Sequence, residues 1–243
     1  WLFANGDILK YSVETDRFLL VERGTEPGRP AAPAPLTSCG RPPPPVASDE
    51  PTDSELEVVR HVVRELGKTH FLFSAALMGH PRLRFSDATS GGQVEDWVRL
   101  YEDPDAFLEQ HMRRFKTGNY RAGVEIARRE GMDGVAFSWD YGTSTGPMMS
   151  PDMFRHYVQP VVAATAQTIH DAGLVCLQHA CGNNQVLMDM IVEAGVDVYQ
   201  SIQPEMGIAG LKKRYGKNIT LWGGVSSGLL ITGTPFGFIA LLG

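Results

Sequence analysis

The sequence predicts an α/β protein built as a (β/α)8 barrel of the TIM type, incomplete at both ends. Three observations carry that expectation. Strand-like and helix-like segments alternate from residue 54 onward, which implies parallel strands joined by right-handed crossovers. Helices leave through glycine-bearing exits, Gly131-Met132-Asp133, Ala172-Gly173 and Ala194-Gly195, the chemistry of a helix end turning into a strand. Neither G-x-G-x-x-G nor a Walker motif follows the first strand, as an open, doubly wound nucleotide-binding sheet would require.

Residues 1–53 form a first segment and residues 54–243 the barrel. In the first, Asp7 to Tyr11 and Phe18 to Val21 flank the polar turn Glu14-Thr15-Asp16, the pattern of a hairpin. Nine of the 16 prolines then fall between Gly24 and Pro51, so that stretch reads as extended loop, and Cys39 within it has no functional context. A helical stripe of Leu56, Val59, Val62, Val63 and Leu66 follows, with Asp53 and Ser54 as candidate caps. His70 to Phe73 reads as a strand. Val94 to Arg129 is helical and broken before Pro104, because the residue preceding proline disfavours the α region.

The remaining units run in regular order. Val135–Ser138, Leu174–Leu177, Val196–Tyr199 and Ile219–Trp222 are strand-like; Pro151–Ala172, Gln185–Ala194 and Ile208–Tyr215 are helical.

Composition narrows the function. With 22 Lys and Arg against 28 Asp and Glu, the net charge of −6 excludes non-specific nucleic-acid binding and offers no polybasic membrane patch. Three cysteines make no disulfide framework, no signal peptide is evident, and the apolar run from Phe236 to Leu242 is too short to span a bilayer. A cytoplasmic setting is expected. The chain opens at Trp1 without an initiator Met and closes on an apolar run without a cap, so it reads as a piece of a longer protein.

Barrel chemistry gathers at the C-terminal ends of strands. Those positions carry Trp139-Asp140-Tyr141-Gly142, His179-Ala180-Cys181-Gly182, Gln200 to Glu205, and Gly223-Gly224, while the opposite loops are bland. His179 and Cys181 share a face if the strand continues, and imidazole nitrogen with thiolate sulfur suits zinc. The bland alternative is a satisfied loop histidine beside a small buried thiol. Cys176 falls on the other face, as packing. Asp140 is a pocket carboxylate or a turn residue; Gln203 and Glu205 are pocket residues or loop scaffold. His111, His156 and His170 lie in helical stripes as packing or surface residues, and Met148-Met149 reads as a lid or core contact.

The run from Asp140-Tyr141-Gly142 through Pro151, then His179-x-Cys181-Gly182, Gln203-Pro204-Glu205 and Trp222-Gly223-Gly224, resembles the uroporphyrinogen decarboxylase superfamily. More narrowly, it resembles the corrinoid-linked, zinc-dependent methyltransferase branch. The similarity covers most of residues 90–235, together with Lys10 to Thr15; the proline-rich stretch matches nothing.

What the resemblance implies is a (β/α)8 barrel in which His179 and Cys181 bind Zn2+. It implies a later cysteine as third ligand, expected outside this chain since none follows Cys181. Asp140, as the catalytic carboxylate, and Tyr141, Gln203 and Glu205 would line the substrate pocket. The methyl donor implied is a methylcobamide on a partner corrinoid protein, and the acceptor a small-molecule thiol. The runner-up activity is decarboxylation of a tetrapyrrole polycarboxylate, with Asp140 contacting pyrrole N–H groups and no metal. A third possibility is a non-catalytic binding barrel.

Overall fold

A computed structural model describes residues 8–12, 17–22, 51, 53–74, 92–116 and 119–226. The proline-rich stretch up to residue 50, Cys39 and the C-terminal apolar run lie outside the described residues. The chain divides into two units, Trp1–Ser54 and Glu55–Gly243. The first contains an antiparallel hairpin, β1 (Ile8–Ser12) with β2 (Arg17–Glu22), the pairing expected of two short apolar runs around a polar turn.

The second unit is built on a five-stranded parallel sheet. Its strands are β3 (Phe73–Ser74), β4 (Gly134–Ser138), β7 (Val175–His179), β8 (Val198–Ile202) and β9 (Thr220–Gly223), and they lie side by side in that order. Each new strand joins the same edge, with no reversal, which is the winding of a β/α barrel. A doubly wound sheet would switch sides at one point. A small hairpin of β5 (Gly142–Thr143) and β6 (Gly146–Pro147) follows β4 and has no counterpart in the sequence reading.

The helices are α1 (Asp53–Leu66), α2 (Gly92–Glu102), α3 (Pro104–Lys116), α4 (Asn119–Arg129), α5 (Pro151–Met153), α6 (Gln159–Asp171), α7 (Met188–Glu193) and α8 (Ile208–Tyr215). The break before Pro104 falls as expected. The remaining stretch is divided again, α3 ending at Lys116 and α4 starting at Asn119. The helix expected over Pro151–Ala172 is interrupted by a π-helical turn at Phe154–Val158. Pro160 has no N–H to give the preceding turn, so the Gln159 N–H reaches back five residues to the Phe154 carbonyl.

Apolar helix faces cover one side of the sheet. Leu56, Val59, Phe107, Val124, Phe154 and Ile169 are buried there. Arg60 on α1 clamps Glu130 just past α4 with a two-pronged ion pair of 2.7 and 3.2 Å, and that guanidinium holds the Glu130 carboxyl below the usual carboxylate range. On the side where Val175 and Val198 alternate with buried neighbours, Phe71, Phe73, Val175, Val198 and Trp222, with Asp197 and Thr220, line a cavity of 690 Å³. Among the described residues no helix is long and apolar enough to cross a membrane.

Candidate functional site

Register places the site before any side chain is considered. Pairing along the sheet sets Ser138, His179, Gln200 and Trp222 abreast on four adjacent strands. The main chain then continues the pairing past the strand ends: the Trp139 N–H donates to the His179 carbonyl at 3.1 Å and the Ala180 N–H to the Gln200 carbonyl at 2.7 Å. Asp140 and Cys181 are thereby carried to the same rim. The Cys181 N–H donates to Asp140 Oδ1 at 2.7 Å, which locks the two loops together.

Gly142 and Gly182 make that proximity possible. Gly182 has φ +100°, and a Cβ there would sit 2.3 Å from the carbonyl carbon and oxygen of Gly142. No L side chain fits where two backbones meet this closely. The glycines of both loop sequences thus serve one contact.

Three donor types converge. A carboxylate oxygen of Asp140, a ring nitrogen of His179 and Cys181 Sγ all lie within 4.8 Å of one another. His179 Nε2 is 3.4 Å from Cys181 Sγ and 3.5 Å from Asp140 Oδ1. Zinc bond lengths at a tetrahedral angle would put nitrogen and sulfur roughly 3.6 Å apart and nitrogen and oxygen roughly 3.4 Å apart. The donor set therefore fits zinc in type and in spacing. Its side chains are half-buried, so an approach from solvent stays open.

The electrostatics agree. Asp140 is held below the usual carboxylate range, first by the His179 imidazole and then by the Cys181 N–H, with burial opposing. His179 is raised above an ordinary histidine, chiefly by Asp140 and further by Gln200, against burial. Cys181 is raised, first by burial and then by the Asp140 charge. A thiol in this setting ionises when a cation arrives to reverse the balance. Cys176, in contrast, is fully buried in the sheet, its thiol pushed far up by desolvation.

The other residues named from sequence sit in varied places. The Tyr141 ring is buried in the core, edge-on to Phe154 at 5.1 Å and against Trp139, and its hydroxyl accepts from Gln178 Nε2. It stands behind the cluster. Gln203 is half-buried at the start of a 3₁₀ turn, its carbonyl accepting the Met206 N–H at 3.0 Å. Glu205 is exposed, and its carbonyl accepts from Asn183 Nδ2 at 3.4 Å. Met149 is core and Met148 is exposed.

Four further residues support the cluster, a role the sequence reading did not give them. Gln200 Oε1 accepts from His179 Nδ1, and Ser201 Oγ lies 3.9 Å from Cys181 Sγ. Asn184 Nδ2 donates to the Cys181 carbonyl and to the Tyr199 hydroxyl, each at 2.9 Å, while that hydroxyl donates to the Ala180 carbonyl at 3.3 Å. The strand expected over Val196–Tyr199 runs instead from Val198 to Ile202, so Gln200 and Ser201 are strand residues and not the loop they were assigned to. The buried polar pair of Tyr199 and Asn184 pins the Cys181 loop from below.

Residues 38–238 match the family model for uroporphyrinogen decarboxylase (URO-D). Among solved structures, a methyltransferase from Methanosarcina mazei aligns with a TM-score of 0.53 at 16% identity, over 76% of this chain and 52% of that one. This likeness is one of fold, and the chain spans about half the length of that protein. A Xaa-Pro dipeptidase with bound methionine in the active site aligns at a TM-score of 0.26 with 20% identity, over 60% of this chain and 34% of that one, too low to carry weight. No curated protein matches the chain.

Proposed function

The chain belongs to the uroporphyrinogen decarboxylase family, and within it we propose a zinc-dependent methyltransferase. Methyl passes from the cobalt of a methylcobamide, carried by a partner corrinoid protein, to the sulfur of a small thiol. The thiol loses its proton and the carbon–cobalt bonding pair stays on cobalt. The observation that carries this reading is the Asp140–His179–Cys181 cluster, whose 3.4 and 3.5 Å separations suit one tetrahedral ion.

His179, Cys181 and Asp140 would hold the metal. The resemblance implied a later cysteine as third ligand; Asp140 offers that third donor within this chain. Bound zinc would stabilise the anion of an acceptor thiol near neutral pH, much as it stabilises hydroxide. This chain's own contribution is placement. The Cys181 N–H fixes Asp140, Asn184 fixes the Cys181 loop, and the half-buried rim leaves one side of the cluster to a substrate. Glu205, whose carbonyl accepts from Asn183, and Gln203, at the start of the same turn, are proposed to meet substrate, while Tyr141 supports the pocket from behind.

The family match also favours a second reading, decarboxylation of a tetrapyrrole polycarboxylate with Asp140 as the contacting carboxylate. Cys181 has no task in it. Metal analysis separates the two. The methyltransferase reading expects about one zinc per chain, lost by orders of magnitude in His179→Ala and Cys181→Ser. It also expects thiols to release about one proton on binding, with methyl transfer once methylcobalamin is supplied. Equal zinc in all three proteins, or loss of carbon dioxide from uroporphyrinogen with no thiol response, overturns it.

A further inference from the structure

We propose that Gln200 is a positioning residue that fixes the tautomer of His179, holding its Nδ1–H so that the Nε2 lone pair faces Asp140 and Cys181. The purpose of this device rests on the metal reading above. Its substance rests on geometry alone.

A neutral imidazole carries one N–H and one lone pair, and its neighbours decide which nitrogen keeps the proton. Two acceptors compete for His179. Gln200 Oε1 is in hydrogen-bonding contact with Nδ1. Asp140 Oδ1 stands 3.5 Å from Nε2, past the usual N–H···O range, and that oxygen already accepts the Cys181 N–H at 2.7 Å. The closer and less committed acceptor keeps the proton on Nδ1. The lone pair on Nε2 then points at the sulfur 3.4 Å away, the orientation a shared cation needs.

The placement of Gln200 is a property of the sheet. β7 and β8 pair His179 with Gln200, so the two side chains stand abreast on one face. Between Gln200 and Ile202 the register of β8 against β9 shifts, and Ser201 approaches Cys181 Sγ. One short stretch of β8 thus touches two of the three donors without being a donor itself. Metal-binding histidines commonly give their second N–H to a carbonyl or carboxylate, which fixes the ring and raises its basicity.

The test reads the tautomer directly. Long-range proton–nitrogen NMR on metal-free protein with labelled histidine, above the ring's titration and with His179→Gln as the assignment control, should show Nδ1–H in wild type. Gln200→Leu should lose that preference, and Gln200→Glu, which keeps the acceptor, should restore it. In parallel, cobalt(II) titration followed by its visible spectrum should weaken by about 10- to 100-fold in Gln200→Leu and recover in Gln200→Glu. An Nε2–H tautomer in wild type, or Gln200→Leu with unchanged tautomer and cobalt affinity, overturns the proposal. Should Gln200→Leu fail to fold, the wild-type tautomer and Gln200→Glu still decide it. A locked tautomer in a protein that binds no cobalt upholds the role of Gln200 and removes the metal reading instead.

Discussion

Two histidine–aspartate pairs stand at opposite ends of the parallel sheet. At the N-terminal end, His170 Nε2 meets Asp197 Oδ2 at 2.7 Å; at the C-terminal end, His179 Nε2 stands 3.5 Å from Asp140 Oδ1. Both carboxylates also accept a backbone N–H across the sheet, Asp197 from Cys176 at 2.8 Å and Asp140 from Cys181 at 2.7 Å. Their exposures are alike, 37% and 42% against 33% and 38%. Exposure and residue type therefore do not distinguish a site from a brace. What differs is closure: the lower pair is a direct hydrogen bond, complete in itself, whereas the upper pair is held apart at the spacing of two ligands with a thiol alongside. Asp133 repeats the lower carboxylate-to-backbone bond two strands earlier, accepting the Leu72 N–H at 2.7 Å.

Glycine substitutions at the two ends should separate loop contact from backbone strain. Gly173 has φ +73° with nothing within 4 Å of an added Cβ, so Gly173→Ala should cost about 1–2 kcal/mol of unfolding free energy. Gly182→Ala carries the same kind of strain and also drives into the Gly142 backbone, adding about 1–3 kcal/mol and weakening metal binding. Urea unfolding and metal titration check both. Equal costs would mean that the two loops can part freely.

The aspartates give the next largest effect. Asp140→Ala should lower zinc affinity by at least about 100-fold, beyond the loss expected of an outer partner, as measured by chelator competition. Asp197→Ala should leave that affinity unchanged and lower unfolding free energy by about 1–3 kcal/mol, because the Cys176 N–H loses its acceptor. If Asp197→Ala moved metal affinity as far as Asp140→Ala, the division of duties would collapse.

The smallest effect is graded in pH. His179 and Cys181 are both raised, so metal must expel protons from them, whereas Asp140, held low, is ionised already. Affinity should rise with pH, by about tenfold per unit while one proton is displaced, and flatten once Cys181 ionises without metal. A flat profile across neutral pH would deny the thiolate a part.

Much of this was legible in the chain. Alternating segments and glycine exits gave the parallel winding, and the period of two put His179 and Cys181 on one side. The support of the cluster was harder to read. Gln200 was placed in a loop because the strand boundary was drawn at Tyr199, three residues short of Ile202, and boundaries depend on partners that a single strand does not display. The Asn184–Tyr199 pair joins residues 15 apart in sequence, a pairing that neither periodicity nor motif encodes. Tyr141, read as a pocket residue, is buried against Phe154 because an aromatic ring near a strand end finds apolar company on the helix side.

The strictly sequential order of the sheet also sets a schedule for synthesis. Domains fold as units, so β4 and β7 leave the ribosome before β8 but settle into the sheet together with it. The three donors are all made by residue 181, some twenty residues before the strand bearing Gln200 and Ser201 arrives to hold them. A nascent chain that met metal in that interval would present the donors without the strand that holds them.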